Sequence, residues 1–294
     1  NTRMLIRNLP FFLVKYLVYL MVNKSNKRVK KKTKVLLALN PYRFRNDLEL
    51  LEEYEDITIH KMSFKWQCFL FTCFYDNPNS LVHNISDLKL KKEQESFRIF
   101  LKKYLPYFIK TYNITGVLGA GIHYRQDYDI ACVFKEIGIP VFIFHREGNI
   151  SSNAYQIDFE NRCKKYKKFH GTLLMVHNKI QKDIICKTQY ADKKNVQVIG
   201  VLRMDKWIKK INSYKSRSIL NKRVTLFSFG PGAGSLSSFP PHWPHDTEDH
   251  MPLYCKNVHK AFIDFAIKNP DIEVVIKCKW RGIWEKNLLK LLGL

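Results

Sequence analysis

The chain has 294 residues, of which 46% are hydrophobic and 14% aromatic, and this length predicts two domains with substantial cores. It contains only 12 glycines and 11 prolines, a composition that excludes collagen-like, low-complexity and wholly disordered chains. The formal net charge of +24 predicts a polyanionic partner: a nucleic acid, an anionic membrane surface or a phosphorylated substrate.

The N-terminal segment, residues 1–33, is both apolar and basic. Its apolar run at 9–22 is too short to span a bilayer comfortably, no signal-peptide cleavage site follows it, and the first carboxylate is Asp47. We predict that this segment lies in the membrane interface, with its basic residues against anionic lipid. The alternative is a packed N-terminal helix followed by a solvated basic linker.

From residue 34 onward, short apolar runs alternate with stretches of helical periodicity. Strands are predicted at 34–40, 56–62, 116–121, 139–145, 171–178 and 196–202, and helices at 92–112, 128–137 and 179–188. Strands that alternate with helices favour parallel pairing through right-handed crossovers. We therefore predict a Rossmann-like, doubly wound acceptor domain over residues 34–207.

A polar, basic linker is predicted at 208–222, after which the pattern restarts. A strand within 223–234, a helix at 256–268, a strand at 272–279 and the start of a helix at 283–292 begin a second unit. The predicted fold class is α/β, with two Rossmann-like parallel-sheet domains. We expect the second, a nucleotide-donor domain at 223–294, to be incomplete. Seven cysteines without a CxxC pair indicate a reducing compartment.

Ligands of open parallel sheets bind beyond the carboxyl ends of the strands. This rule points to residues 40–45, 119–125, 145–149, 177–178, 203–205, 228–234 and 277–280. The segment HREGN at 145–149 combines a possible base, His145 or Glu147, with Arg146, which can pair with a phosphate on the acceptor side. A salt-bridged strand cap is the alternative.

The segment GAGIHYRQDYD at 119–129 is a second candidate on the acceptor side. Gly119 and Gly121 allow the backbone to approach a ligand, Arg125 adds a positive charge, and Asp127 or Asp129 offers another base. The glycines equally fit a role in tight packing alone.

The donor's phosphates are expected at SFGPGAGS, residues 228–235, directly after a predicted strand. Its phosphate-binding residues are predicted to be Ser228, Gly230, Gly232 and Gly234. The segment has no P-loop Lys-Ser/Thr and no GxGxxG, which disfavours ATPase and dinucleotide functions. Lys277 and Lys279 are positioned to neutralise a diphosphate; the alternative is that they are solvated surface lysines.

A long loop follows at 236–252, rich in proline, histidine and acidic residues. The spacing of His242, His245 and His250 matches no strong zinc pattern, so we predict no metal site. A loop that covers substrate is the favoured interpretation.

The order of these segments resembles the GT-B glycosyltransferase superfamily, and within it the bacterial surface-carbohydrate and CDP-glycerol glycerophosphotransferase-like enzymes. Non-hydrolysing UDP-N-acetylglucosamine 2-epimerases share that architecture. The resemblance is carried by VQVIGVLRMDKW at 196–207, VTLFSFGPG at 224–232 and VHKAFIDFAIKNPDIEVVIKCK at 258–279. IFHREGN loosely resembles the His-x-Glu strand end of the epimerases, with Arg146 between His145 and Glu147.

The resemblance implies a transferase of cell-surface carbohydrate biosynthesis, peripheral at the cytoplasmic face of the membrane. Its donor would be UDP-, CDP- or GDP-linked and its acceptor lipid-linked or a glycan, with no metal or other cofactor required, because helix N-termini and basic side chains stabilise the leaving nucleotide. Three alternatives stay open: a sugar-nucleotide epimerase, an inactive fragment, and a basic nucleic-acid-binding protein. No nucleic acid is expected as a partner, because no RRM, KH, zinc-finger or helix-turn-helix signature is present.

Overall fold

The computed structural model describes part of the chain in two compact units, Asn1–Ser213 and Tyr214–Leu294. The described residues are 10, 13, 16, 19–25, 33–76, 88–147, 150, 152–213, 222–228, 250–278, 286, 289–290 and 292–293. Each unit contains its own sheet with parallel strands. The predicted α/β fold class is therefore confirmed.

The sheet of the first unit has seven strands within the described residues. They are β1 (Val22–Asn23), β2 (Lys34–Ala38), β3 (Ile57–Met62), β4 (Gly116–Gly119), β5 (Val141–Phe144), β6 (Leu173–Val176) and β7 (Val196–Val198). Their spatial order is β1-β3-β2-β4-β5-β6-β7, and only the β1–β3 pair is antiparallel. The order reverses between β2 and β4, the topological switch point of such sheets.

Besides the described helical residues 13, 16 and 19–21, seven α-helices accompany these strands in the described part of the first unit. They are α1 (Arg45–Leu51), α2 (Phe64–Phe74), α3 (Leu88–Tyr112), α4 (Arg125–Glu136), α5 (Asn153–Lys165), α6 (Lys179–Lys187) and α7 (Asp205–Ser213). Three of them, α3, α4 and α6, coincide with predicted helices. Residues 208–213, the start of the predicted linker, are the last six residues of α7. The other domain boundaries stay predictions.

Both faces of the sheet are buried. Leu37, Val117 and Ile143 belong to the larger apolar cluster, whereas their strand neighbours Ala38, Leu118 and Phe144 belong to a second cluster. Because successive side chains of a strand point to opposite faces, each cluster lies on its own side of the sheet. Burial on both sides explains why these strands are continuous apolar runs in the sequence.

Two residues within the predicted membrane-associating segment, Val22 and Asn23, join the sheet. Met21 and Val22 are buried, and Val22 pairs with Met62 at the edge of the sheet. Leu13, Tyr16, Tyr19 and Leu20, in contrast, are exposed apolar side chains. No helix formed by the described residues is both long and apolar enough to cross a bilayer.

The second unit contains a parallel pair of strands joined by a helix. β8 (Lys222–Phe227) pairs with β9 (Ile272–Lys277) over their full lengths, and α8 (His250–Lys268) lies between them in the chain. This is the strand–helix–strand order that the sequence predicts. Most of the helix predicted at 283–292 lies outside the described residues.

Candidate functional site

A cavity of about 680 Å³ lies at the carboxyl ends of four parallel strands of the first unit. His123 follows β4, and His145, Arg146 and Glu147 follow β5. His177 and Asn178 come after β6, Arg203 comes after β7, and α5 contributes Tyr155, Phe159 and Arg162. The cavity is where ligands of open parallel sheets bind, and two of the predicted catalytic residues, His145 and Glu147, line it.

Glu147 and His123 form a carboxylate–imidazole pair on the cavity wall. His123 Nε2 is 2.9 Å from Glu147 Oε2, and the Tyr124 hydroxyl donates to Glu147 Oε1 over 3.4 Å. The hydrogen bond from His123 lowers the pKa of Glu147 to about 2, against the opposing effect of partial burial. The Glu147 side chain is 57% exposed. It therefore presents an ionised carboxylate to a ligand in the cavity at neutral pH.

His145 is a buried, neutral imidazole in the same wall. Its ring stacks on Phe159 with centroids 5.6 Å apart, and it meets the ring of His123 edge-on. Neither of its ring nitrogens has a hydrogen-bond partner among the described residues. Burial, reinforced by the charge of His123, lowers the pKa of His145 to about 3. At neutral pH His145 thus offers one N–H donor and one acceptor to a ligand.

Arg146 and Arg203 share one buried carboxylate, that of Asp47 in α1. Arg146 Nε is 3.4 Å and Arg203 Nη1 is 3.8 Å from Asp47 Oδ2, while the backbone N–H of Arg203 donates to Asp47 Oδ1 over 3.0 Å. Burial and the charge of Arg203 lower the pKa of Arg146. Two guanidinium groups from different strand ends are therefore held side by side.

Asp127 lies elsewhere, in a buried polar cluster at the switch point between β2 and β4. Its Oδ1 accepts from Gln67 Nε2 over 3.0 Å, and Gln67 Oε1 accepts from the backbone N–H of Asn40, whose φ of 50° is left-handed. Burial raises the pKa of Asp127 to about 8. A carboxyl that keeps its proton at neutral pH cannot accept another, so Asp127 does not act as a base in the function we propose.

Of the three other residues predicted on the acceptor side, Gly121 lies beside the cavity, whereas Gly119 and Arg125 do not line it. A Cβ on Gly119 would lie 2.6 Å from Ile143 Cδ1, so this glycine serves the close packing of β4 on β5. A Cβ on Gly121 would lie 3.1 Å from the Tyr124 ring and 3.7 Å from His145 Nδ1, which places Gly121 beside the cavity. Arg125 is half-buried at the start of α4 and is not among the described residues that line the cavity.

In the second unit, Ser228 is fixed at the end of β8. Its backbone N–H donates to the carbonyl of Lys277, and its Oγ is 2.8 Å from His259 Nε2. His259 Nδ1 is 2.6 Å from the carbonyl oxygen of Cys255, which can only accept, so Nδ1 carries a proton. In the neutral imidazole, Nε2 then accepts from the Ser228 hydroxyl. The Lys277 ammonium lies 5.9 Å from the centroid of the Phe227 ring.

Several predicted residues lie outside the described part of the chain: Gly230, Gly232, Gly234, Lys279, His242 and His245. Their roles stay predictions. Within the described part, no group of three or more histidine, cysteine or acidic side chains could hold a metal ion. None of the seven cysteines, all of which are described, is in a disulfide.

Sequence reasoning missed Asp47, Arg162 and the pairing of His123 with Glu147. His123 and Arg203 fall within the strand-end ranges 119–125 and 203–205, so their position was the available signal, although neither was singled out. Asp47 and Arg162 are helical residues that no strand-end rule selects.

Comparison with known proteins finds similarity among solved structures only. No family model matches the chain, and no curated protein matches it in sequence. A UDP-N-acetylglucosamine 2-epimerase from Rickettsia bellii is similar at 9% identity and a TM-score of 0.41, covering 89% of this chain and 64% of that one. A UDP-GlcNAc 2-epimerase from Neisseria meningitidis bound to UDP-GlcNAc is similar at 12% identity and the same TM-score, covering 89% and 69%.

The present chain thus spans less than two thirds of the first epimerase and slightly more than two thirds of the second. At TM-scores below 0.5, these similarities identify no family. The resemblance to GT-B enzymes stays a prediction, whereas the α/β architecture is established by the two sheets themselves.

Proposed function

We propose that this chain is a transferase of the glycosyltransferase type, which moves a group from a nucleotide-activated donor to a hydroxyl of an acceptor. The observation that carries the proposal is the ionised Glu147, oriented by His123, on the wall of a cavity at the strand ends. A cavity of about 680 Å³ is within the range that holds a small-molecule ligand.

In the proposed reaction, the acceptor hydroxyl oxygen forms a bond to the donor carbon. The bond from that carbon to the phosphate breaks, and its electron pair leaves with the nucleotide diphosphate. The transition state is cationic and resembles an oxocarbenium ion, so the acceptor proton becomes strongly acidic only as the new bond forms. Glu147 takes this proton late, and a weakly basic carboxylate suffices for a late transfer. His123 is a positioning residue that fixes the carboxylate.

The donor is proposed to bind at the strand ends of the second unit. Ser228 and Lys277 lie at the ends of β8 and β9, and the glycines at 230, 232 and 234 would allow backbone N–H groups to approach the phosphates. Lys277, together with Lys279, would stabilise the leaving nucleotide, so that the proposal includes no metal or other cofactor.

A thermal-shift screen with UDP, CDP, GDP and CDP-glycerol tests the donor class. We expect one of the four to raise Tm, because a ligand that binds only the folded state stabilises it by about 2.7 kcal/mol at 100 times its Kd. The corresponding nucleoside without phosphates is the control and should give a much smaller shift. Absence of a shift with all four compounds would remove the nucleotide donor from the proposal.

An assay of nucleotide-sugar turnover separates a transferase from an epimerase. A transferase consumes its nucleotide sugar only when an acceptor is present. Formation of the C2 epimer of UDP-GlcNAc without any acceptor, followed by NMR, would instead establish the epimerase.

We further propose that the chain binds the cytoplasmic face of the membrane through its N-terminal segment, which would bring it to a lipid-linked acceptor. Leu13, Tyr16, Tyr19 and Leu20 expose apolar surface within a segment that carries many basic residues and no acid. Apolar insertion combined with a basic cluster supplies the two contributions that stable peripheral binding needs.

Replacing Tyr16 and Leu20 together with serine should weaken binding to anionic lipid vesicles by at least about tenfold, because each side chain loses on the order of 1.5 kcal/mol or more of apolar burial. Vesicle flotation measures the effect. Ile99→Ser with Ile157→Ser is the matched control, since these side chains are similarly exposed. Equal binding of the two double variants, or equal binding to neutral and anionic vesicles, would contradict the proposal.

A further inference from the structure

Two arginines lie next to each other in the wall of the first unit's cavity. Arg146 and Arg203 both line it, and the one carboxylate that both contact is that of Asp47. Asp47 is only 3% exposed, so it lies beneath the guanidinium groups and not in the cavity. Asp47 offsets one of the two positive charges, and the ionised Glu147 on the cavity wall is the negative charge nearest to the other in the chain.

The two guanidinium groups also retain unused donors. Within the described part of the chain, Arg146 Nε and Arg203 Nη1 have no hydrogen-bond acceptor, although both atoms are shielded from solvent. Their separations from Asp47 Oδ2, 3.4 and 3.8 Å, are those of an ion pair and not of a strong charge-assisted hydrogen bond. These two atoms face Asp47, so an anion in the cavity would be met by the other N–H groups of the two arginines, whose side chains are 28% and 27% exposed.

The imidazole of His145 is a third donor, and it independently indicates that a ligand binds beside Arg146 and Arg203. His145 is 1% exposed, lines the same cavity and has no partner for either ring nitrogen among the described residues. A buried polar group without a hydrogen bond is costly, and such groups in folded proteins normally have one. A ligand that accepts from the imidazole would remove this cost.

We propose that Arg146, Arg203 and His145 form a subsite for the phosphate ester of a phosphorylated acceptor, with Asp47 as the residue that positions the two arginines. Arginine forks match the geometry of phosphate oxygens. A phosphate monoester has three terminal oxygens for the donors of these three side chains, whereas a carboxylate has two. The subsite itself rests on the geometry above; only its assignment to the acceptor rests on the proposed function.

The location in the chain favours the acceptor over the donor as the source of the phosphate. Every described residue that lines the cavity belongs to the first unit. The glycine-rich segment expected to bind the donor's phosphates belongs to the second. Arg146 also directly precedes Glu147 in the chain, so a phosphate held by Arg146 would sit in the cavity that contains the proposed base.

Titration calorimetry with sn-glycerol 3-phosphate tests the subsite without any donor or turnover. We expect Arg203→Ala to weaken its binding about 10–100-fold, the loss of a charge-assisted pair. Arg45→Ala is the matched control, because Arg45 is an exposed arginine that pairs with its helix neighbour Glu49 and is not among the described residues that line the cavity; it should bind as the unaltered chain does. Unchanged binding by Arg203→Ala, with native circular dichroism, would overturn the subsite.

Four further ligands test the chemistry of the subsite and the source of its phosphate. Glycerol should not bind measurably, and glycerate should bind more weakly than glycerol 3-phosphate; equal binding of glycerate would overturn the choice of phosphate. If UDP or CDP displaced glycerol 3-phosphate and lost affinity in Arg203→Ala, the phosphate would belong to the donor and the acceptor assignment would fail.

The outcomes also separate this inference from the proposed function. A nucleotide that raises Tm while glycerol 3-phosphate does not bind would leave the transferase proposal standing and remove the subsite. Binding of glycerol 3-phosphate that depends on Arg203, without any nucleotide that raises Tm, would support the subsite and remove the nucleotide donor from the transferase proposal.

Discussion

Glu147→Gln is expected to lower the rate of group transfer about 10²–10⁴-fold, the usual contribution of a positioned general base. The amide keeps the size of the side chain and can still accept from His123 or Tyr124, so the fold should be retained. The donor is the nucleotide compound identified by the thermal-shift screen, and release of its nucleotide with an acceptor present is the measured rate. A variant as active as the unaltered chain would remove Glu147 as the proton acceptor.

Two companion variants make this result specific. Glu49→Gln changes an exposed carboxylate that pairs with Arg45 on α1 and does not line the cavity, and its activity should be unchanged. His123→Ala removes the hydrogen bond that is the largest cause of the low pKa of Glu147, so that pKa rises from about 2 toward its usual range. The acidic limb that Glu147 contributes to the pH–rate profile should therefore move toward higher pH. A merely structural role for His123 would lower activity without moving this limb.

Asp129→Ala is expected to destabilise the first unit by about 3–5 kcal/mol, the cost of leaving a buried charge without its partner. Asp129 is fully buried on α4, where Arg98 Nε donates to its Oδ1 over 2.7 Å and the Tyr75 hydroxyl donates to its Oδ2. Removing the carboxylate takes this buried acceptor away from both donors. Urea unfolding followed by circular dichroism measures the change in the free energy of unfolding.

An exposed ion pair provides the comparison for Asp129. Asp158 pairs with Arg162 one turn away on α5, and Asp158→Ala should cost no more than about 1 kcal/mol, as is usual for surface pairs. Equal effects of the two substitutions would contradict the role of the buried network. This network also shows what Asp129 does in place of the base role considered for it in the sequence: it joins α4 to Arg98 of α3 and Tyr75.

The strands, and the end of the sheet at which the site lies, can be predicted from local sequence patterns. β2, β4 and β5 are short apolar runs because both of their faces are buried, and a run of this kind is visible without any knowledge of neighbours. The strand-end rule then places His145, Arg146 and Glu147 in one region, and the structure brings them to the same cavity.

Other features depend on contacts between distant parts of the chain. α2 is rich in aromatic and other apolar residues, which hides its helical period. The carboxylate of Asp47 accepts from the backbone of Arg203, 156 residues away, and no local pattern encodes that pairing. Asp127 carries the residue type of a base, but its burial, which the sequence does not reveal, keeps it protonated at neutral pH.

The antiparallel direction of β1 decides where the N-terminal segment leaves the sheet. Val22 pairs with Met62, the last residue of β3, so Tyr19 and Leu20 emerge at the same rim of the sheet as the cavity. β1 and β5 are separated by four strand spacings, roughly 19 Å. A bilayer held by these residues would meet the rim where the cavity lies, and a lipid carrier would need to extend its head group only about that distance to reach Glu147.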